Sequence, residues 1–205
     1  MQLKLGFASK PVFAESDFVV SNANRAAFSW IKKWPEWPGN ALLLHGPESS
    51  GKTHLAHIWA ARSGAEFFNN NPEKKNLIIE DIESFGENQE RLLHILNESR
   101  EKSGYLLLTA SGPAACLLFT LPDLTSRLKA LPDVEVHLPD DELLKSVLIK
   151  LFSDRQLKIP PAAIDFILSR IDRSFKSAGR IVNEIDTLSS EEKRNITIPL
   201  IRKIL

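Results

Sequence analysis

Gly46-Pro47-Glu48-Ser49-Ser50-Gly51-Lys52-Thr53 matches the phosphate-binding loop pattern G-x-x-x-x-G-K-[ST], and its neighbours are of the kind that loop requires. Ala41-Leu42-Leu43-Leu44 is a continuous apolar run and reads as a buried strand entering the loop, while residues 53–61 read as the helix leaving it. In that setting backbone N–H groups and the positive end of the helix cradle β-phosphate oxygens. Lys52 supplies a compact cation, and the Thr53 hydroxyl is placed to ligate Mg²⁺. The sequence therefore predicts binding of a nucleoside di- or triphosphate. A ligand-free Gly/Ser-rich turn would need strand, loop and helix to coincide by chance.

Outward from the loop, apolar runs alternate with amphipathic stretches as far as residue 137, the pattern of a parallel sheet covered by helices. Strands are predicted at 41–45, 66–68, 77–81, 105–109 and 134–137. A one-sided helix is predicted over 87–102, where Leu92, Leu93, Ile95 and Leu96 stand among charges. Asp140 then reads as the N-cap of a helix running to about residue 155. Beyond it only helices are predicted, at 161–171, 175–188 and 199–205, with a charged loop over 189–194. The expected architecture is an α/β class fold, a five-stranded parallel sheet flanked by helices and followed by a small all-α lid. Its expected divisions are an N-terminal extended peptide at 1–12, the nucleotide-binding domain at 13–138 and the lid at 139–205.

Composition narrows the possibilities. Of 205 residues 43% are hydrophobic and 25% charged, and 26 basic residues balance 26 acidic ones, so no global field recruits nucleic acid. The single Cys116 forms no internal disulfide, and its neighbours Ala115 and Leu117 suggest a small core residue. No run approaches a membrane span or a signal peptide, so a cytoplasmic location without membrane attachment is expected. His54 and His57 are spaced to share a helix face but have no third ligand nearby. Trp30, Trp34, Trp37 and Phe28 are expected to pack helix against sheet.

Leu77-Ile78-Ile79-Glu80-Asp81 is an apolar strand ending in two carboxylates, at the sheet edge where such folds bind ligands. One acid would hold Mg²⁺ and the other would orient or deprotonate an attacking water. Thr109 and Ser111, closing the fourth strand, are candidate γ-phosphate sensors. Arg127, Arg173 and Arg180 are candidate cations for transition-state charge, though each fits a surface ion pair as well.

The order of these motifs resembles the AAA+ domain of the DnaA family of bacterial replication initiators, over nearly the whole chain. The segments that carry the likeness are Asp17-Phe18-Val19-Val20-Ser21-Asn22, the loop at 46–53, Ile79-Glu80-Asp81-Ile82, Leu108-Thr109, residues 121–128 and Gly179-Arg180. Ile196-Thr197-Ile198-Pro199 onward, and the lack of a helix-turn-helix segment after the lid, are similar to the short Hda branch of that family. The resemblance implies a regulator that promotes hydrolysis of ATP held by DnaA. Its cofactor is implied to be ADP or ATP with Mg²⁺, bound by Val19, Val20, Gly46, Pro47, Glu48, Ser49, Ser50, Gly51, Lys52, Thr53, His54 and Arg180. Thr53 and Glu80 are implied Mg²⁺ residues, Asp81 the catalytic acid, and Arg127 an arginine finger acting on a neighbouring DnaA protomer.

The resemblance further implies that Gln2, Leu3, Leu5 and Phe7 dock on the sliding clamp, the DNA polymerase III beta subunit. Apolar residues alternating beyond a polar one suit insertion into a groove. A homodimer is a possible assembly, and sequence-specific DNA binding is not expected. Two departures from the family pattern point to weak or absent intrinsic ATPase activity: Glu80 where Asp is usual, and Ser111-Gly112-Pro113 in place of a charged pair. Residues 63–76 are too few for the insert DnaA places near single-stranded DNA. The rival expectation is a self-sufficient AAA+ ATPase, such as a helicase loader.

Overall fold

The computed structural model describes residues 13–69 and 72–205. The 1–12 segment, with Gln2, Leu3, Leu5 and Phe7, lies outside them. Helix α1 (Arg25–Lys33) precedes strand β1 (Ala41–His45), the phosphate loop and helix α2 (Lys52–Ser63). Strands β2 (Glu66–Phe67) and β3 (Leu77–Ile79), helix α3 (Gln89–Glu101), strand β4 (Leu106–Ala110), helix α4 (Pro122–Lys129) and strand β5 (Asp133–Glu135) complete the body. The strands pair in parallel in the order β2-β3-β4-β1-β5. The expected five-stranded parallel sheet is present, and β1 lies near its centre.

Alternation along the strands builds two cores. Leu42 and Leu44 of β1, Ile78 of β3 and Leu107 of β4 face one side, where they meet Leu55, Ile58 and Trp59 of α2 and Ala27 and Ile31 of α1. Leu43, Leu77, Ile79, Leu106 and Leu108 face the other, against Leu92 and Leu96 of α3 and Leu124 and Leu128 of α4. The registers Leu42↔Leu107 and Leu43↔Leu108 keep equivalent side chains on the same face, which a one-residue slip would reverse. The predicted aromatic packing is found: Trp37 stacks on Trp59 at 5.3 Å and donates its indole N–H to the Trp30 carbonyl.

The lid comprises α5 (Asp141–Asp154), α6 (Pro161–Leu168), α7 (Phe175–Glu192) and α8 (Ile198–Ile201) around a third core that includes Leu148, Phe152, Ile164, Ile181 and Ile185. Asp140 caps α5 as predicted, accepting the Leu143 N–H at 2.7 Å. Two expectations are corrected. Residues 189–192 continue α7 instead of opening a loop, the helix ending at Lys193 in the left-handed conformation with Glu192 ion-paired to Lys203. Cys116 is exposed, because the short 3₁₀ turn Ala114–Cys116 turns Ala114 inward in its place. No helix among the described residues is long and apolar enough to cross a membrane.

Candidate functional site

The loop's glycines answer to contacts from distant parts of the chain. At Gly46, with φ of 146°, a Cβ would stand 2.2 Å from the Val136 carbonyl oxygen, so any side chain would collide with backbone following β5. Gly51, φ 105°, presents its bare Cα to the Phe175 ring at the start of α7, where a Cβ would come within 3.3 Å. Between them the Lys52 ammonium folds back and donates to the carbonyls of Gly46 (2.7 Å) and Pro47 (3.0 Å). The Ser50 hydroxyl is buried with no hydrogen-bond partner among the described residues. Buried polar groups are nearly always paired, so this one marks the loop floor as a place fitted for a polar ligand. The first N–H groups of the 12-residue α2 open on the same loop, which suits an anion.

The acids arrive from β3. Glu80 accepts a hydrogen bond from the Thr53 hydroxyl at 2.6 Å, so a carboxylate and a hydroxyl stand side by side as hard oxygen donors of the kind Mg²⁺ takes. Asp81 adopts the left-handed conformation, φ 48°, and its N–H donates to Thr109 Oγ1 at 2.9 Å. Burial pushes the Lys52 ammonium below its ordinary pKa, opposed by attraction to Asp81, Glu83, Glu80 and Glu48. One desolvated cation thus feels the attraction of four carboxylates while its hydrogen bonds go to the loop carbonyls. Chemically, the arrangement suits a polyphosphate with its divalent ion. Neither predicted sensor hydroxyl points freely at the loop: Thr109 is buried supporting Asp81, and the Ser111 hydroxyl donates to Glu83 at 2.6 Å.

The lid supplies contacts that sequence reasoning missed. Lys176 Nζ lies 3.2 Å from Glu48 Oε1 in the loop, and Phe175 covers Gly51. Arg180, the lid cation expected there, sits one turn further along α7, is largely exposed and pairs with Glu184 at 3.8 Å. Among the described residues, the lid contacts on the loop thus come from Phe175 and Lys176 in the N-terminal turn of α7. Arg173 forms a two-pronged ion pair with Asp141 at 2.8 and 3.0 Å. His54 turns its ring from the loop to donate to the Ala14 carbonyl at 3.1 Å, so what it offers the loop mouth is main-chain N–H. Its neighbour His57 is stacked on Phe13. Val19 is partly buried and Val20 exposed, on a segment pinned by Asn24, which donates to the Val19 carbonyl and accepts the Ser21 N–H.

Arg127 lies elsewhere. It projects from α4 on the face of the sheet opposite α2, and its ion pair is with Asp123, one turn away at 3.2 Å.

Comparison with known proteins gives the same frame. Residues 141–205 match the family described as Hda, lid domain. The chain is 24% identical over 211 residues to the chromosomal replication initiator protein DnaA of Nautilia profundicola, covering 87% of this chain and 48% of that protein. It thus spans about half the length of that relative. Among solved structures, domain III of the Thermotoga maritima replication initiation protein DnaA superposes with a TM-score of 0.83 at 17% identity, covering 96% of each chain. AMPPCP-bound DnaA from Aquifex aeolicus superposes with a TM-score of 0.75 at 17% identity, over 89% of this chain and 67% of that one. At such identities the structural likeness establishes the fold, that of an AAA+ domain with its helical lid.

Proposed function

We propose that this DnaA-like AAA+ protein, whose lid is of the Hda type, is a nucleotide-bound regulator of replication initiation that acts on the ATP of a DnaA protomer. In this scheme ADP or ATP occupies the loop at 46–53 between body and lid. The nucleotide's phosphates would be met by the loop N–H groups, Lys52 and Lys176, and Mg²⁺ would be held by Thr53 and Glu80. When bound, the ion would supply charge neutralisation at the phosphates, with Thr53 and Glu80 the residues that would hold it and Val19 and Val20 those that would border the base. The AMPPCP held by the Aquifex aeolicus DnaA supports adenine as that base.

The observation that carries the proposal is the separation of cations. Lys52 and Lys176 converge on the loop, whereas Arg127 stands on α4, on the other face of the sheet, partly exposed and paired with Asp123. An arginine so placed is available to a second subunit, where a guanidinium on transition-state charge is worth about a thousandfold or more in phosphoryl-transfer rate. Docking of Gln2, Leu3, Leu5 and Phe7 on the sliding clamp would bring the chain to DNA without sequence-specific contacts of its own. A homodimer is a further assembly it can form when idle.

The test is a mixture of DnaA preloaded with labelled ATP, DNA carrying the clamp, and this protein. Conversion to ADP is expected to accelerate, and Arg127→Ala to lose at least about tenfold of that stimulation while still binding ADP. Equal stimulation by Arg127→Ala would remove the finger assignment. The Thr53–Glu80 contact also fits a self-sufficient ATPase. Ordinary turnover by the purified chain alone, abolished by Lys52→Ala and indifferent to clamp and DnaA, would favour that rival.

A further inference from the structure

Just ahead of Val19, residues 13–18 touch three helices in succession. Phe13 stacks on His57 of α2, with ring centroids 4.4 Å apart and planes 12° apart, and meets His54 edge-on at 5.3 Å. The Ala14 carbonyl accepts from His54 Nε2, and Glu15 reaches Lys32 of α1 at 2.6 Å and Arg62 of α2 at 3.8 Å. Asp17 then crosses to the lid, pairing with Lys150 of α5 at 3.0 Å. Phe18 returns to the body, stacked on Phe28 of α1 at 5.4 Å and edge-on to His54 at 5.1 Å.

We infer that residues 13–18 are a positioning strap for the nucleotide site, holding the first turns of α2 and the lid in the relative placement that retains bound nucleotide. The inference rests on the assignment of the 46–53 loop to nucleotide made above. His54 directly follows Thr53, so whatever fixes its ring fixes the turn that carries the hydroxyl facing Glu80. On the other side, Asp17–Lys150 is a second tether between body and lid, independent of the Lys176–Glu48 tether at the loop. A ligand clasped between two parts binds more tightly when those parts are already held in place, because less motion is lost on binding. By linkage, nucleotide must in turn hold the strap down, and with it the point where the N-terminal peptide joins the body. Asp17 and Phe13 are positioning residues in this account, touching no nucleotide themselves.

Dissociation of a fluorescent N-methylanthraniloyl-ADP with Mg²⁺ from the full chain, followed by stopped flow, tests the strap. Asp17→Lys is expected to speed release by about three- to tenfold, the scale of a partly shielded ion pair reversed in sign. Lys150→Asp is expected to do the same, with the adjoining Asp154 adding repulsion, and the double exchange to restore release to within about twofold of the unchanged protein. Rescue by exchange separates positioning from general loss of fold, and melting curves of the ligand-free variants accompany each rate. Release unaltered in both single variants, or no recovery in the exchange, overturns the strap. Failure of the unchanged protein to bind the probe is a different result: it removes the loop assignment, and the strap with it.

Discussion

Lys176 Nζ lies 3.2 Å from Glu48 Oε1, a contact between residues 128 apart in sequence that joins the first turn of α7 to the phosphate loop. Both side chains are well exposed, so the pair adds little to stability; its significance is where it puts a lid cation. Lys176→Ala is expected to weaken ADP binding by about tenfold, and Arg180→Ala by no more than about twofold, in parallel titrations. The reverse order would return the lid contact to Arg180.

The 2.6 Å hydrogen bond from Thr53 to Glu80 predicts which substitutions touch the ion and which touch the nucleotide. Glu80→Gln keeps an acceptor for Thr53 but removes the charge, and Glu80→Asp withdraws the carboxylate by one methylene. Both are expected to lose about tenfold of the Mg²⁺-dependent gain in ADP affinity, while affinity in EDTA stays within about twofold. Equal loss in EDTA would mean that Glu80 supports the loop and not the ion.

His54 predicts a pH dependence of stability. Burial depresses its pKa below the ordinary 6.5, with the Ala14 carbonyl and Asp17 pulling the other way. The folded protein therefore holds that proton less readily than the unfolded chain. The stabilisation is complete above 6.5 and is lost as pH falls through that value toward the folded pKa. Melting temperature is expected to fall between about pH 7 and 5.5, and less steeply in His54→Gln. Identical slopes would show that the imidazole does not contribute.

The parts of this fold set by local pattern were legible in sequence. The run Ala41 to Leu44, the glycines at 46 and 51 and the cap at Asp140 each carry their reason within a few residues. Boundaries governed by tertiary contact were less so. Strand β3 stops at Ile79 because Asp81 turns into the left-handed region to bond Thr109, and α7 outruns its apolar pattern where Lys203, from beyond α8, pairs with Glu192. At the candidate site Thr53 and Glu80, both named from sequence, are in contact, whereas Lys176 was not among the residues sequence pointed to. Its neighbours mark a helix start and nothing in them announces a partner in the loop; only the docking of the lid on the body does. Phe175 could have been suspected from its place just inside a Ser174-capped helix, an apolar residue where solvent would otherwise reach.

The most direct measurement is calorimetric titration of the purified full chain with ADP and Mg²⁺, alongside its Lys52→Ala variant. One molecule of ADP is expected to bind per chain at micromolar or tighter affinity, raising the melting temperature, with binding by Lys52→Ala reduced by about a hundredfold or more. No heat and no change in melting temperature for the unchanged protein at millimolar ADP would contradict the account at its base.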